Sequence, residues 1–201
     1  MEHVLYINLS HRKDRRDHIE QQLVRWGVSY ERFNAVHHML GHIGCTQSHI
    51  RCLELAIERE WDHVCIVEDD MYIVDVPLFR QTLSTFLASS TPWDVLLLGG
   101  NVGPPYIKVS GARRVMNAQT TTAYVVQKHY YATLLDNFKR GLQLCLSYHL
   151  SQYRIDMYWK RLQRNDQWYI LDPLTVIQKD GYSDIEKVYT NYQSMMLSYK
   201  E

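Results

Sequence analysis

A chain of 201 residues is long enough to bury a substantial hydrophobic core and has room for one large domain or two small ones. Lys plus Arg and Asp plus Glu both number 22, so no net charge draws the chain to nucleic acid or to an anionic membrane. Because no Pro/Gly/Ser-rich linker interrupts the sequence, we predict a single domain over residues 1–201.

The cysteines and the amino terminus bear on the compartment of the protein. No CxxC pair and no cysteine–histidine spacing indicates zinc, so we expect four reduced thiols, as in a cytosolic protein. Glu2 and His3 stand where a signal peptide needs its apolar run, and no segment approaches roughly eighteen apolar residues. These features predict a cytoplasmic protein with no membrane span. The four cysteines are Cys45, Cys52, Cys65 and Cys145.

The first predicted elements are a strand over residues 3–7 and a basic helix from about Arg12 to Trp26. Residues 12–16 contain four Lys or Arg side chains, although the helix dipole disfavours cations in a first turn. Two interpretations remain open. Either an anion docks beside these cations, or they form a solvated face together with Asp14 and Asp17.

A second strand is predicted over residues 30–36, followed by a loop over residues 37–44. Its three histidines have a spacing that matches no standard zinc site. A helix then opens at residues 44–49 and runs to about Trp61, with Thr46 at its N-cap. Ser48 and His49 would lie in its first turn, where backbone N–H groups receive phosphate, and the alternative is local capping and packing.

The most informative stretch is Val64-Cys65-Ile66-Val67-Glu68-Asp69-Asp70. Its short, β-branched apolar run predicts a strand buried on both faces, and its acids fall where open α/β sheets place ligands. Three adjacent carboxylates repel one another without a cation, and hard oxygen ligands suit Mg²⁺ or Mn²⁺ bridging to phosphate. We therefore predict a metal and nucleotide-diphosphate site, with an acidic turn as the alternative.

The remaining elements complete an alternation of strands and helices. We predict a helix from Pro77, a buried strand over residues 93–100 ending in Gly99-Gly100, and a mobile, turn-rich rim over residues 102–117. A strand (121–126), a helix (128–138), a helix carrying Asp156 (153–159) and two short strands (168–171 and 174–177) follow. Asp156 stands among apolar and aromatic neighbours, so it is either paired or functional. The alternation argues for an α/β sandwich with a largely parallel sheet.

Seven segments occur in an order typical of one known family. They are Tyr6-Ile7-Asn8-Leu9 with Arg12, Asp14, Arg15 and Arg16; Arg32-Phe33-Asn34-Ala35-Val36; Gly44-Cys45-Thr46-Gln47-Ser48-His49; Val67-Glu68-Asp69-Asp70; Trp93-Asp94-Val95-Leu96-Leu97-Leu98-Gly99; Ala123-Tyr124-Val125-Val126; and Gly181-Tyr182-Ser183-Asp184. Together they resemble family-25 glycosyltransferases, which include bacterial lipooligosaccharide galactosyltransferases and collagen hydroxylysine galactosyltransferases. The similarity covers nearly the whole chain. It departs from the family pattern at His37-His38-Met39-Leu40 and at Gln127-Lys128-His129.

The resemblance implies a GT-A-like nucleotide-sugar-binding fold, α/β with a mostly parallel central sheet flanked by helices. It also implies an inverting, metal-dependent transfer of galactose or a similar hexose from a UDP-sugar to a hydroxyl of a glycan or glycoprotein acceptor. The cofactor would be Mn²⁺ or Mg²⁺, which would clamp the leaving diphosphate. Lipopolysaccharide or other glycan biosynthesis is the implied process.

Roles for individual residues follow from the same resemblance. Asp70 is the expected first metal ligand, and Asp69 and Glu68 would hold the ion through water or hold the ribose. Asp156 is the expected catalytic base, with Asp184 second as base or further ligand. The expected donor-binding residues are Asn8, Leu9, Arg12, Arg15, Ser48, Asp69 and Gly99.

Two other functions use the same residues. A nucleotidyltransferase or phosphohydrolase would employ the same acids and turn over the nucleotide itself. A degenerate transferase fold would hold a nucleotide or glycan without chemistry.

Overall fold

The structure of the protein, a computed structural model, describes residues 1–182, 188–191 and 196. The helices are α1 (Lys13–Trp26), α2 (Gly41–Glu58), α3 (Val76–Leu87), α4 (Tyr131–Tyr148), α5 (Ile155–Tyr158) and α6 (Lys160–Gln163). The strands are β1 (Val4–Asn8), β2 (Glu31–Asn34), β3 (His63–Glu68), β4 (Met71–Ile73), β5 (Val95–Val102), β6 (Tyr106–Val109), β7 (Ala112–Val115), β8 (Ala118–Gln127), β9 (Trp168–Leu171), β10 (Val176–Gln178), β11 (Gly181–Tyr182) and β12 (Tyr189–Thr190). Within this described part, no helix combines the length and apolar character needed to cross a bilayer.

Ten of the strands in the described residues form one sheet, whose main path is β2-β1-β3-β8-β5-β9-β7-β6. Strand β10 pairs with β5 and with β4, and β11 pairs with β12 separately. The strands β2, β1 and β3 run parallel, as do β9, β5 and β10, whereas β8 lies antiparallel between β3 and β5. The predicted α/β fold class, a central sheet flanked by helices, is confirmed.

Helices cover both faces of the sheet because the side chains of its central strands are apolar on both faces. In β3, Val64 and Ile66 belong to the core shared with α2 and α4, and Cys65 and Val67 to the core shared with α1 and α3. All four side chains are fully buried. A continuous apolar run is the pattern expected for a strand with helices on either side.

Helix α2 begins earlier than the sequence predicts. Its first residue is Gly41, and Thr46 lies inside the helix, where its hydroxyl donates to the carbonyl of His42 at 2.9 Å. The predicted N-cap at Thr46 is therefore wrong. Ser48 and His49 lie beyond the first turn, so their backbone N–H groups are not in the position where a helix N-terminus receives phosphate.

The segment over residues 102–117, predicted as a turn-rich rim, contains regular strands. Strand β5 continues to Val102, and β6 and β7 form an antiparallel hairpin that joins the sheet through β9. Arg113 donates to Asp172 at 2.8 Å and its guanidinium lies 4.6 Å from the centre of the Tyr106 ring. The Arg113–Asp172 contact links residues 59 positions apart, so local turn composition does not reveal it. Helix α4 likewise runs to Tyr148, past the predicted end at residue 138.

Candidate active site

The carboxyl ends of three parallel strands meet at one edge of the sheet. Asn8 of β1 is level with Asn34 of β2, and Ile7 with Glu68 of β3. The acidic residues that follow β3 therefore emerge beside Asn8, at the edge where open α/β sheets place ligands. With the β2–α2 loop they enclose a cavity of about 310 Å³. The residues that line this cavity are Ile7, Asn8, Leu9, His11, Arg15, Ala35, Val36, His37, His38, Met39, Gly41, Cys45, Ser48, His49, Glu68, Asp69, Asp70 and Gln178.

Asp69 is held by side chains from the first strand and helix. Asn8 Nδ2 donates to Asp69 Oδ2 at 2.7 Å, and Arg15 donates to Asp69 Oδ1 at 2.9 Å. Burial raises the pKa of the Asp69 carboxyl, and Arg15 and Asn8 oppose that effect. One of the crowded cations of the first helix therefore faces the protein's own acids.

Asp70 is the carboxylate whose charge is least well compensated by its surroundings. Its Oδ2 accepts from Arg15 at 3.1 Å, but its Oδ1 is buried and has no hydrogen-bond partner among the described residues. Burial, followed by the charges of Glu68 and Asp69, raises the pKa of Asp70 to about 7, against the opposing effects of Arg15 and of the nearby Gln178 side chain. A bare carboxylate oxygen in a crowded acidic site fits a divalent cation, because a cation supplies the missing partner and offsets the repulsion.

Glu68 has a different set of neighbours, all of which contact one oxygen, Oε1. The Thr121 hydroxyl donates to it at 2.7 Å, His49 Nε2 lies 3.2 Å away and the Cys45 thiol lies 3.6 Å away. His49 Nδ1 in turn lies 2.8 Å from the hydroxyl of Tyr124. Burial would raise the pKa of the Glu68 carboxyl, but the contacts with His49, Thr121 and Cys45 hold it below its usual value.

An irregularity in β8 brings Thr121 to Glu68. The pairing of β5 with β8 shifts register between Gly99 and Asn101, and Thr120 has a φ of 78°. A β-branched residue rarely adopts such a φ, so this bend is a strained local feature that turns the Thr121 hydroxyl toward the site.

Asp156 lies on the short helix α5 and does not line the cavity. Its Oδ2 accepts from the backbone N–H of Thr120 at 3.2 Å. Burial raises the pKa of Asp156, the Thr120 N–H opposes this, and the charge of Glu68 adds to the rise. The second predicted base, Asp184, lies outside the described residues.

Some of the predicted donor-binding residues do not reach the cavity. Arg12 lies outside its lining and forms an ion pair with Asp14 at 2.8 Å. Gly99 also lies outside it, and a Cβ there would come within 2.4 Å of the carbonyl of Val176, so the backbone that approaches this glycine is that of β10. Asn8, Leu9, Arg15, Ser48 and Asp69 do line it.

Ser48 is fully buried, and its hydroxyl forms two hydrogen bonds with backbone atoms. Its hydroxyl accepts from Val36 N–H at 2.9 Å and donates to the Gly44 carbonyl at 2.7 Å. Ser48 therefore fixes the chain between β2 and α2, which forms one wall of the cavity.

Sequence reasoning missed the grouping of Cys45, His49 and Glu68. The ligand atoms of these three residues all lie within 4.8 Å of one another, an arrangement that a metal ion can occupy. The prediction that no cysteine–histidine spacing indicates a metal overlooked the interval of four between Cys45 and His49, which places both on one face of a helix.

Comparisons with known proteins place the chain in a family. A sequence model of glycosyltransferase family 25 (LPS biosynthesis protein) matches residues 39–154, more than half of the chain. No curated protein sequence matches significantly. Among solved structures, the chain is similar to a glycosyltransferase involved in the glycosylation of the major capsid of PBCV-1, with 12% identity, a TM-score of 0.53 and coverage of 85% of this chain and 81% of that one.

A second similar structure is described as a mannose-1-phosphate geranyltransferase from Thermus thermophilus, with 11% identity, a TM-score of 0.51 and coverage of 85% and 73% of the two chains. At these identities the likeness concerns the fold, and both folds agree with the sheet and helices described above. The family assignment comes from the sequence match, which includes the α2 and β3 residues of the site. The chain belongs to glycosyltransferase family 25, the LPS biosynthesis protein family.

Proposed function

We propose that the protein is a metal-dependent, inverting glycosyltransferase that moves galactose or a similar hexose from a UDP-sugar to a hydroxyl of a glycan or glycoprotein. Membership of the family supports a transferase. The observation that carries the proposal is the unpartnered, buried Oδ1 of Asp70 in an acidic group that lines a cavity at the end of parallel strands.

Asp70 and Glu68 would hold the ion, which we propose to be Mn²⁺ or Mg²⁺. When bound, such an ion offsets the negative charge that develops on a departing diphosphate. The donor set fits, because carboxylate oxygens are the ligands that these hard cations prefer.

The cavity walls would position the donor. Asn8 and Leu9 at the end of β1 would border the nucleotide, and Arg15, at hydrogen-bond distance from both Asp69 and Asp70, would also face the diphosphate. Arg12 and Gly99 are not part of this proposal as direct contacts, because they lie outside the cavity lining.

Asp156 lies outside the lining of the donor cavity, and it is the proposed base on the acceptor side, where it would take the proton from the acceptor hydroxyl. Burial raises the pKa of its carboxyl, which makes the ionised form a stronger base than an ordinary aspartate, and the Thr120 N–H holds one of its oxygens. Asp156→Asn should lower the transfer rate by about 10²–10⁴-fold while donor binding survives. Transfer at the normal rate in that variant would exclude Asp156 as the base.

The decisive experiment is thermal unfolding with a panel of UDP-sugars, with Mn²⁺ or with chelator. A donor at about 100 times its Kd adds about 2.7 kcal/mol, which for a chain of this size raises Tm by roughly 5–10 °C. We expect the shift for one UDP-hexose, and we expect chelator and Asp70→Asn to abolish it. The matched control is Asp62→Asn, since Asp62 is exposed and lies outside the cavity lining.

Two results would contradict the proposal. One is the absence of a shift with every UDP-sugar under both conditions. The other is a shift that survives in Asp70→Asn. Product analysis separates the enzyme classes, because a glycosyltransferase releases UDP from the sugar donor, whereas a nucleotidyltransferase releases pyrophosphate from a nucleoside triphosphate.

A further inference from the structure

Two side chains of the cavity wall, Cys45 and His49, differ in chemistry from the neighbouring acids and lie next to one of them, Glu68. Cys45 and His49 lie four residues apart on α2 and project toward Glu68 at the end of β3. The three residues offer a sulfur, a nitrogen and an oxygen from a thiol, an imidazole and a carboxylate. We refer to Cys45, His49 and Glu68 as the thiol site.

Two separations, from the Cys45 sulfur and from His49 Nε2 to Glu68 Oε1, are close to those between neighbouring ligands of one small cation. In a tetrahedral site with Zn–S of about 2.3 Å and Zn–N or Zn–O of about 2.1 Å, neighbouring ligand atoms lie roughly 3.4–3.6 Å apart. The sulfur of Cys45 is 3.6 Å from Glu68 Oε1, and His49 Nε2 is 3.2 Å from the same oxygen. The sulfur–oxygen separation lies in this range, the nitrogen–oxygen separation is slightly shorter, and all three ligand atoms lie within 4.8 Å of one another, so small side-chain shifts would bring them into shared coordination.

The groups behind the thiol site hold its members in orientation. Tyr124 contacts the other nitrogen of His49 at 2.8 Å, and Thr121 donates to Glu68 at 2.7 Å from the strained bend of β8. Metal-binding histidines and carboxylates are typically fixed by such outer contacts. The three ligands also line the cavity, which gives an ion a route in.

We propose that the thiol site binds a borderline-soft divalent cation, Zn²⁺ in the first place, in addition to the oxygen-ligand ion proposed at Asp70, and that Glu68 would be shared between the two ions, with its Oε1 facing Cys45 and His49. A sulfur and an imidazole nitrogen select Zn²⁺ over Mn²⁺ and Mg²⁺, which prefer oxygen. On binding, the thiol proton of Cys45 is released to solvent and the thiolate coordinates the metal. Three protein ligands leave the fourth position of a tetrahedral ion open to the cavity. This inference does not rest on the proposed function.

Cobalt(II) is the probe, since it takes zinc-type sites and a thiolate ligand gives it an intense near-ultraviolet charge-transfer band. We expect one equivalent of Co²⁺ to produce this band in the metal-free full chain and one equivalent of Zn²⁺ to remove it. Cys45→Ser should eliminate the band, and the matched control Cys145→Ala should keep it, because Cys145 lies on α4 outside the cavity lining. Tyr124→Phe should keep the band with roughly 10–100-fold weaker affinity.

Asp70→Asn distinguishes this site from the proposed donor-metal site, because that variant leaves Cys45, His49 and Glu68 intact. We expect it to retain the cobalt band while it loses the nucleotide-dependent shift. A cobalt band lost equally in Asp70→Asn and Cys45→Ser would mean a single site and would overturn the proposal. So would the absence of a band, or one that persists in Cys45→Ser.

A measurement on the unaltered protein covers the case in which Cys45→Ser does not fold. Alkylation followed by peptide mass mapping should show Zn²⁺ protecting Cys45 at least tenfold against modification. Mg²⁺ should give no protection. Equal modification of Cys45 with and without Zn²⁺ would contradict the thiol site.

Discussion

Arg15 is the residue on which the acids of β3 depend when no metal is bound. It donates to both Asp69 and Asp70, and the three side chains are only 19%, 11% and 12% exposed. Removing one partner of a largely buried ion pair leaves charge without compensation. One of the four cations at the start of α1 therefore pairs with acids of the protein itself, although Arg15 and Asp69 lie 54 residues apart in the chain.

We expect Arg15→Gln to destabilise the metal-free protein by about 1–3 kcal/mol at neutral pH, below the range for a fully buried pair because the arginine is partly exposed. The loss should be smaller near pH 5, where Asp69 and Asp70 are more fully protonated. Urea unfolding in chelator at the two pH values measures both effects. Arg16→Gln is the control, since Arg16 pairs with Glu20 on the surface, and an equal loss in both variants would refute the argument.

Asp70 itself predicts a pH dependence of stability. Its pKa is about 7 in the folded chain and about 3.9 in an unfolded one, so the folded state favours the protonated, neutral form of the Asp70 carboxyl. Its contribution is therefore fully present below about pH 4 and is lost as pH rises from about 4 to 7. Above that range the ionised side chain costs stability.

Asp70→Asn should consequently stabilise the metal-free protein by about 2 kcal/mol near pH 8 and have little effect near pH 4. The gain is below the full effect of the charge because the variant also weakens the contact with Arg15. Denaturant titrations across this range in chelator provide the measurement. A variant that is less stable than the parent near pH 8 would show that the ionised Asp70 side chain does not destabilise the folded protein.

At the scale of elements, helix α2 is fitted closely against the chain that precedes it. A Cβ at Gly44 would lie 2.5 Å from the Val36 carbonyl oxygen and 3.3 Å from the Cβ of His38. The backbone atom cannot yield as the end of a side chain can. Gly44 therefore allows the helix to approach the cavity wall formed by residues 36–39.

Gly44→Ala should destabilise the protein by about 1–3 kcal/mol through overpacking. The same substitution in an exposed helix would instead stabilise the protein by up to about 1 kcal/mol. It should also weaken nucleotide-sugar binding by displacing the wall. Urea unfolding and the ligand-induced Tm shift test the two effects. Gly181→Ala is the control because, among the residues that the structure describes, no atom lies within 4 Å of a Cβ there, and a stabilised Gly44→Ala would disprove the close fit.

The elements differ in how far local sequence determines them. Strand β3 is predictable because its apolar run and the acids after it are contiguous in the chain. The start of α2 is not, because it has no side-chain cap and because Gly44 packs against the backbone of Val36, a contact that local sequence does not reveal. The β6–β7 hairpin depends on pairing with β9 and on Arg113 with Asp172, which composition does not encode locally.

The site divides in the same way. The acids and their position at a strand end follow from sequence, and so does the expectation of a cation beside them. The assembly of Glu68 with Cys45, His49 and Thr121 does not, because it requires the register of β3 against β8 and the bend at Thr120. Side chains from three separate elements meet only when the sheet is formed.

For the whole molecule, the two cores lie on opposite faces of a shared sheet. Leu53 of α2 belongs to one core and Leu23 of α1 to the other, and both are fully buried. Because the same strands contribute to both cores, we predict that neither face unfolds without the other, as expected of a single domain.

Leu53→Ala and Leu23→Ala should each cost about 2–5 kcal/mol and shift one common unfolding transition. Tryptophan fluorescence and far-ultraviolet circular dichroism, recorded against urea, should coincide in both variants with an unchanged slope. Two transitions, with each variant shifting only one of them, would instead reveal two independent units.

The sheet remains open, with β2 at one end of its main path and β6 at the other, each paired on one side within the described residues. An unpaired strand edge can recruit a strand from another molecule, which is how fibrils grow. Glu31 and Arg32 place charges along β2, while Pro105 precedes β6 and Lys108 lies within it. Charges and proline are the usual obstacles to such recruitment, so both edges carry their own protection against polymerisation.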